Sequence, residues 1–139
     1  MKIYLAAKFE QKNTMRDVRD LLTSVGHEIT SQWIDVEHEE DKAHTVTDEL
    51  RVKYAIMDVE DVRRADALVT FAGLRSEPAI GGGRHVEFGI ALEREMPIIV
   101  VGPKGEHIFH WWPGVEHVAD VIDLVDLLAD QEDTDEDQA

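Results

Sequence analysis

The chain has 139 residues, 43% of them hydrophobic, and it contains no cysteine. This length suits one domain with its own core, and the lack of thiols excludes disulfides and thiolate metal ligands. The 30 acidic residues against 14 basic ones give a net charge of −16, which argues against a surface that binds a nucleic-acid polymer. No apolar run approaches the roughly 20 residues that span a bilayer, and residues 2–6 are typical of a strand and not of a signal peptide. We therefore expect a cytoplasmic protein with no membrane partner.

Strand-like and helix-like segments alternate along the chain. The pattern predicts strands at 3–6, 27–33, 67–72, 98–101 and 115–118. It predicts helices at 15–25, 47–64, 84–95 and 120–128, with Gly26 ending the first helix and Thr47 capping the second. This order predicts one flavodoxin-like or Rossmann-like α/β domain over residues 1–129, built on a parallel sheet of about five strands with helices on both faces. The acidic residues 130–139 are expected to form a disordered tail.

Sheets of this kind bind ligands beyond the carboxyl ends of their strands, and one loop at that edge contains three consecutive glycines, Gly81, Gly82 and Gly83. Glycines allow backbone conformations that a side chain forbids, and they let a ligand approach closely. Glu87 is predicted in the first turn of the next helix, where unpaired N–H groups and the helix dipole favour its ionised form. An ionised, fixed carboxylate can act as a nucleophile. The alternative is a glycine turn before an acidic helix start, with no chemistry.

Two aspartates on the helix before the third strand are interpreted differently. Asp61 is interpreted as a solvated residue paired with Arg63 and Arg64. Asp58 follows two apolar residues and is expected to point inward. The seven histidines show no His-x-x-x-His pair with a glutamate between, so no metal site is expected.

Several blocks of the chain together match a known family. They lie at 2–7, 26–33, 57–66, 82–89, 101–103, 109–110 and 113–114, so only the acidic tail stays outside. The most specific are the glycine block that ends in Glu87-Phe88-Gly89 and the spacing from Asp58 to Asp66. The chain resembles the nucleoside 2-deoxyribosyltransferase-like superfamily, which includes deoxynucleoside-monophosphate N-glycosidases, and most resembles a phage and actinobacterial branch of it. A phage-encoded protein acting in the host cytoplasm would fit that branch.

The resemblance implies that Glu87 attacks the anomeric carbon of a 2-deoxyribosyl group and releases the base. The covalent glycosyl-enzyme is then resolved by a second base or by water. Asp58 matches the aspartate that protonates or orients the base, and no metal or organic cofactor is implied. Two alternatives stay open: hydrolysis of a 2-deoxynucleoside 5′-monophosphate, and a nucleotide-binding module without turnover.

The resemblance and the predicted sheet edge together give a set of substrate-binding residues for a small nucleoside or nucleotide. These are Ala7, Lys8, Phe9, Trp33, Gly81, Gly82, Gly83, Arg84 and His107. Family members that use phosphate carry a serine where this chain has its glycines, which favours an unphosphorylated substrate. Arg84 and Lys8 are nevertheless basic residues near the pocket, and the alternative for Arg84 is a surface ion pair. The family implies a homodimer or larger assembly, for which Trp111 and Trp112 would suit a buried interface.

Overall fold

The computed structural model describes residues 1–36, 47–73, 82–103 and 106–138, with side chains through Gln131. The strands are β1 (Lys2–Ala6), β2 (Glu28–Ile29), β3 (Ala67–Phe71), β4 (Ile98–Val101) and β5 (Glu116–Val118). The helices are α1 (Lys12–Ser24), α2 (Asp48–Arg63), α3 (Gly83–Glu93) and α4 (Val121–Gln138). None of the helices in these ranges combines the length and apolar character that crossing a bilayer requires.

The five strands form one parallel sheet in the order β2-β1-β3-β4-β5. This confirms the predicted Rossmann-like α/β fold. The order puts β1 and β3 side by side at the point where the strand sequence reverses direction, and such a point opens a crevice at the carboxyl edge of the sheet. Residues 3–6, 67–71 and 98–101 are all buried, as expected for strands covered by helices on both faces.

Local sequence explains how the first two helices pack and begin. α1 buries Met15, Val18 and Leu22, whose spacing of three and four residues places them on one helix face. Thr47 caps the start of α2, and its hydroxyl oxygen accepts the N–H of Leu50 at 3.2 Å. That side-chain cap satisfies one of the backbone donors left unpaired at a helix start.

The second strand is shorter than predicted, because residues 32–35 curl into a 3₁₀ helix, Gln32–Asp35. The indole N–H of Trp33 donates to the carbonyl of Leu5 at 2.8 Å. The backbone N–H of Gln32 donates to the carboxylate of Asp61 at 2.9 Å. These contacts with β1 and α2 outweigh the alternating pattern, which indicated a strand through residue 33.

The last helix also differs from the prediction, since α4 runs through Gln138 and not to residue 128. Asp120 caps its start by accepting the N–H of Asp123 at 2.9 Å. The amide of Gln131 donates to Glu116 at 2.8 Å, which links the helix to β5. Once a helix has begun, each added residue contributes one more backbone hydrogen bond. The structure thus has helix where the sequence predicts a disordered tail from residue 130.

Two glycines with positive φ differ in how closely they are packed, so they test how tightly the backbone packs after β4. Gly102 follows β4 with φ +111°, and a Cβ built there would lie 3.1 Å from the carbonyl oxygen of Ala72. Gly26 has φ +101°, with no atom within 4 Å of a built Cβ. Gly26→Ala should cost about 1 kcal/mol for its backbone conformation alone. Gly102→Ala should cost clearly more, because the Ala72 backbone must also shift. Urea unfolding of the two variants measures the difference, and equal losses would contradict it.

Candidate active site

Glu87 lies on α3 beside the crevice between β1 and β3, and a hydrogen bond ties it to the sheet. The helix begins at Gly83, after the cap Gly82. Glu87 therefore lies in the second helical turn, whereas the sequence predicts it in the first. Only 9% of its surface is exposed. The hydroxyl of Tyr4, fully buried on β1, donates a hydrogen bond to Oε2 of Glu87. Sequence reasoning missed Tyr4, which reads as an ordinary core residue of the first strand.

Burial determines the charge of Glu87. It raises the pKa of the carboxyl to about 8, against the lowering effect of the Tyr4 hydrogen bond, and the charges of Asp58 and Asp61 raise it further. The prediction that the helix dipole keeps Glu87 ionised is therefore wrong for this chain without substrate, because the dipole effect fades within the first turn while desolvation is large. Burial, with the charges of Glu87 and Asp58, raises the pKa of Tyr4 far above its ordinary value, so its hydroxyl stays a donor.

Asp58 is the second perturbed carboxyl of the site. Burial raises the pKa of Asp58 to about 6, and the charge of Asp61 adds to the effect. Its Oδ1 atom is buried and has no hydrogen-bond partner in the described part of the chain. Asp58 thus points inward, as its apolar neighbours predict. A shifted carboxyl with an unpaired oxygen, coupled to another shifted carboxyl, is typical of a functional site.

A cavity of about 100 Å³ adjoins Asp58 and brings together three predicted site residues. Its lining consists of Phe9, Trp33, Val36, Tyr54, Met57 and Asp58. The rings of Phe9 and Trp33 are 6.3 Å apart. Sequence reasoning missed Tyr54 and Met57 as pocket residues. Tyr54 could have been found, because it lies four residues before Asp58 on the same helix and therefore on the same helix face. Aromatic walls with one carboxyl group suit a flat heterocycle that has hydrogen-bonding edges.

Asp61 is a structural anchor of this pocket and not the solvated residue predicted. It is 1% exposed. Its carboxylate accepts the backbone N–H and the side-chain amide of Gln32, each at 2.9 Å, and the guanidinium of Arg64 at 3.0 Å. The interpretation failed because only the pairing with Arg64 is visible in the sequence. Asp61 joins the 3₁₀ helix that carries Trp33 to the helix that carries Asp58, so it fixes two walls of the cavity.

Arg84 forms an ion pair, as one interpretation of the sequence predicts, but the pair is buried. Its guanidinium donates to the carbonyl of Phe71 at 3.1 Å and forms a close ion pair with Glu106. The side chains of Arg84 and Glu106 are only 9% and 10% exposed, so the pair is not a surface ion pair. Glu106 also accepts a hydrogen bond from the backbone N–H of Gly73. Sequence reasoning missed Glu106, whose surroundings in the loop after β4 show no pattern.

The other predicted binding residues that the structure describes lie along the same edge of the sheet. Ala7 and Lys8 are half-buried directly after β1, and Gly81 lies outside the described residues. His107 lies after β4, with its ring 4.7 Å from the ring of His85 and 6.0 Å from that of His110. Burial lowers the pKa of His110 to about 4. Despite this cluster, the described residues contain no group of side chains arranged to hold a metal ion.

The two adjacent tryptophans are on the surface of the chain. Trp111 and Trp112 are 57% and 60% exposed, and Ile108 and Phe109 beside them are also exposed. The four residues together form an exposed apolar patch, and not a set of single apolar residues scattered over the surface. A single chain does not test the predicted homo-oligomer, which stays a prediction.

Comparison with known proteins gives likeness of fold. No protein-family model and no curated protein sequence matches the chain. Among solved structures, it is similar to the Clostridium botulinum CMP N-glycosidase BcmB, with a TM-score of 0.60 and 17% identity over 93% of this chain and 98% of that one. It is also similar to a conserved protein from Enterococcus faecalis V583, with a TM-score of 0.61 and 15% identity over 94% of this chain and 98% of that one. These likenesses support the fold at nearly full length.

The raised pKa of Glu87 predicts how its removal affects stability. Below its ordinary pKa of 4.5 the carboxyl is protonated in both folded and unfolded chains, so it contributes no pH dependence. As the pH rises to about 8, the unfolded chain ionises first and the folded state loses stability, at about 1.4 kcal/mol per unit of pKa difference. Glu87→Gln should therefore be more stable than the wild type, by a margin that grows from pH 5 to pH 8 and then levels off. Thermal unfolding at pH 5 and 8.5 measures it, and a less stable variant at pH 8.5 would contradict it.

Proposed function

We propose that this chain cleaves the N-glycosidic bond of a nucleoside or nucleotide, with Glu87 as the nucleophile and Asp58 as the proton donor. The observation that carries the proposal is the buried Tyr4–Glu87 hydrogen bond at the sheet crevice, electrostatically coupled to Asp58. The resemblance to the nucleoside 2-deoxyribosyltransferase-like superfamily supports it. The fold shared with a CMP N-glycosidase supports it further as an analogy.

In the first step a Glu87 oxygen attacks the anomeric carbon of the sugar. A carbon–oxygen bond to Glu87 forms while the bond from that carbon to the base nitrogen breaks, and the bonding electron pair leaves with the base. Asp58 gives its proton to the departing base, so the base leaves neutral. The Tyr4 hydroxyl holds one oxygen of Glu87, which leaves the other oxygen for attack.

In the second step water attacks the anomeric carbon of the glycosyl-Glu87. The carbon–oxygen bond to Glu87 breaks, Glu87 leaves as a carboxylate, and the proton of the water returns to Asp58. A second base in place of water gives transfer instead of hydrolysis by the same two displacements. We propose a 2-deoxynucleoside as the preferred substrate, following the resemblance.

The two shifted carboxyls together hold the one proton that this reaction needs. Asp58 has a pKa of about 6 and Glu87 a pKa of about 8, so the pair holds one proton between these values. Because the groups interact, that proton belongs to the pair and not to either residue. The reacting form has the proton on Asp58 and the charge on Glu87. Because Glu87 has the higher pKa, this is the less populated of the two arrangements of that proton near neutral pH, and the reaction proceeds from it.

The aromatic cavity provides the proposed base-binding pocket. Phe9 and Trp33 would contact the face of a base, and stacking on an aromatic side chain contributes about 1–3 kcal/mol. Trp33 is fixed by the hydrogen bond of its indole to Leu5. The unpaired Oδ1 of Asp58 would reach the edge of the same base. Recognition and protonation of the base thus use one side chain.

Release of free base tests the proposal. Purified protein is mixed with ribo- and deoxynucleosides and their 5′-monophosphates, CMP included, with and without an acceptor base, and the products are separated by chromatography. Base should be released from at least one substrate. Glu87→Gln should reduce kcat by at least about 10³-fold, because the nucleophile is lost. The control Glu93→Gln removes an exposed carboxylate from the same helix and should leave kcat unchanged.

A slow-reacting 2-fluoro-2-deoxy nucleoside provides the second measurement. The wild type should gain the mass of one glycosyl group on the peptide that contains Glu87. Substantial turnover by Glu87→Gln, or labelling of a different residue, would contradict the assignment. Binding of a nucleotide with no base released from any substrate would favour a binding module without turnover.

A further inference from the structure

One buried ion pair connects three segments at the carboxyl edge of the sheet. Arg84 is in the first turn of α3, and its guanidinium reaches the carbonyl of Phe71 at the end of β3. Its partner Glu106 comes from the loop after β4 and also accepts the N–H of Gly73, just past β3. The pair therefore fastens the start of α3 and the loop after β4 to the same strand end.

Burying this ion pair is costly, so its presence needs a structural reason. Removing two charges from water is costly, and an apolar pair of similar volume is often as stable or more so. Here each charged group also satisfies a backbone atom at the end of β3, the carbonyl of Phe71 and the N–H of Gly73. The pair thus specifies where the helix start lies relative to the sheet, which an apolar pair would not do.

Because Arg84 lies close to Glu87 on α3, the ion pair also affects where Glu87 lies. The two residues are three apart on α3, so they share a helix face. Glu87 must meet the hydroxyl of Tyr4 on β1, next to β3 in the sheet. A small rotation or shift of the first turn of α3 would change that contact, and a misplacement of about 1 Å can cost 10²-fold in rate.

We propose that Arg84 and Glu106 are positioning residues that hold the first turn of α3 so that Glu87 stays aligned on Tyr4. This inference rests on the proposed function only in taking Glu87 as the nucleophile. It also gives Arg84 a role other than the predicted phosphate contact, since the guanidinium is already engaged by Glu106 and Phe71.

The test separates positioning from stability with the double variant R84M/E106L. It keeps the volume of the pair but loses both backbone hydrogen bonds. The matched control R63M/E60L removes an exposed ion pair from α2. For each protein we would measure thermal stability, amide hydrogen exchange at residues 84–88, and kcat and KM for the substrate that the wild type cleaves fastest in the panel above. R84K provides a second variant, which retains the charge but not the forked geometry.

The inference expects R84M/E106L to stay folded at the assay temperature, with a lower thermal stability because the Phe71 carbonyl and the Gly73 N–H lose their partners. It also expects residues 84–88 to exchange at least about 10-fold faster and kcat to fall at least about 10-fold with little change in KM. The control should match the wild type throughout. If R84M/E106L does not fold, the same pattern is required of R84K. Unchanged kcat and unchanged exchange would overturn the inference, and a loss confined to the KM of a monophosphate would overturn it in favour of phosphate binding. If the wild type cleaves no substrate, the proposed function fails, and the exchange rates alone then decide whether the pair holds the helix start.

Discussion

The hydrogen bond from the Tyr4 hydroxyl to Glu87 is the contact around which the site is arranged. It joins the first strand to the third helix in a buried position, where an unpaired carboxyl would be costly. The parallel sheet makes the contact possible, because its order puts β1 and β3 together at the crevice under α3. The cost of burying Glu87 appears as its raised pKa. A site that stores such a cost in a fixed carboxyl is typical of catalysis, where stability is given up for reactivity.

Around this contact, two further networks hold the parts that the reaction would use. Asp61 joins the 3₁₀ helix with Trp33 to the helix with Asp58, which shapes the aromatic cavity proposed to bind the base. The ion pair of Arg84 and Glu106 fastens the helix with Glu87 to the end of β3. Both networks use buried charged groups whose hydrogen-bonding atoms are matched with backbone or amide partners. Both networks position side chains more than they stabilise the fold, since buried ion pairs contribute little or nothing to the net free energy of folding.

The sequence predicts the architecture well, because strand and helix periodicity carries the fold: the central strands and the capped start of α2 lie where the pattern puts them. It also places Phe9 and Trp33 at the carboxyl edge of the sheet, and it predicts that Asp58 points inward. It fails where contacts distant in sequence decide the outcome. Tyr4 lies 83 residues from Glu87, Gln32 lies 29 from Asp61, and Glu106 lies in a loop without pattern. Such pairings leave no local signal, so the burial of Asp61 and the raised pKa of Glu87 are visible only in the folded chain.

The central claim is that Glu87 and Asp58 share one reactive proton, and the pH dependence of kcat/KM tests it most directly. The account predicts a bell-shaped profile with limbs near pH 6 and pH 8, because activity needs one proton on the pair. Asp58→Asn, measured with a substrate whose base leaves without protonation, should lose the alkaline limb and keep a single rise as Glu87 ionises. A wild-type rate that is constant between pH 5 and 9, or an alkaline limb that persists in Asp58→Asn, would contradict the account.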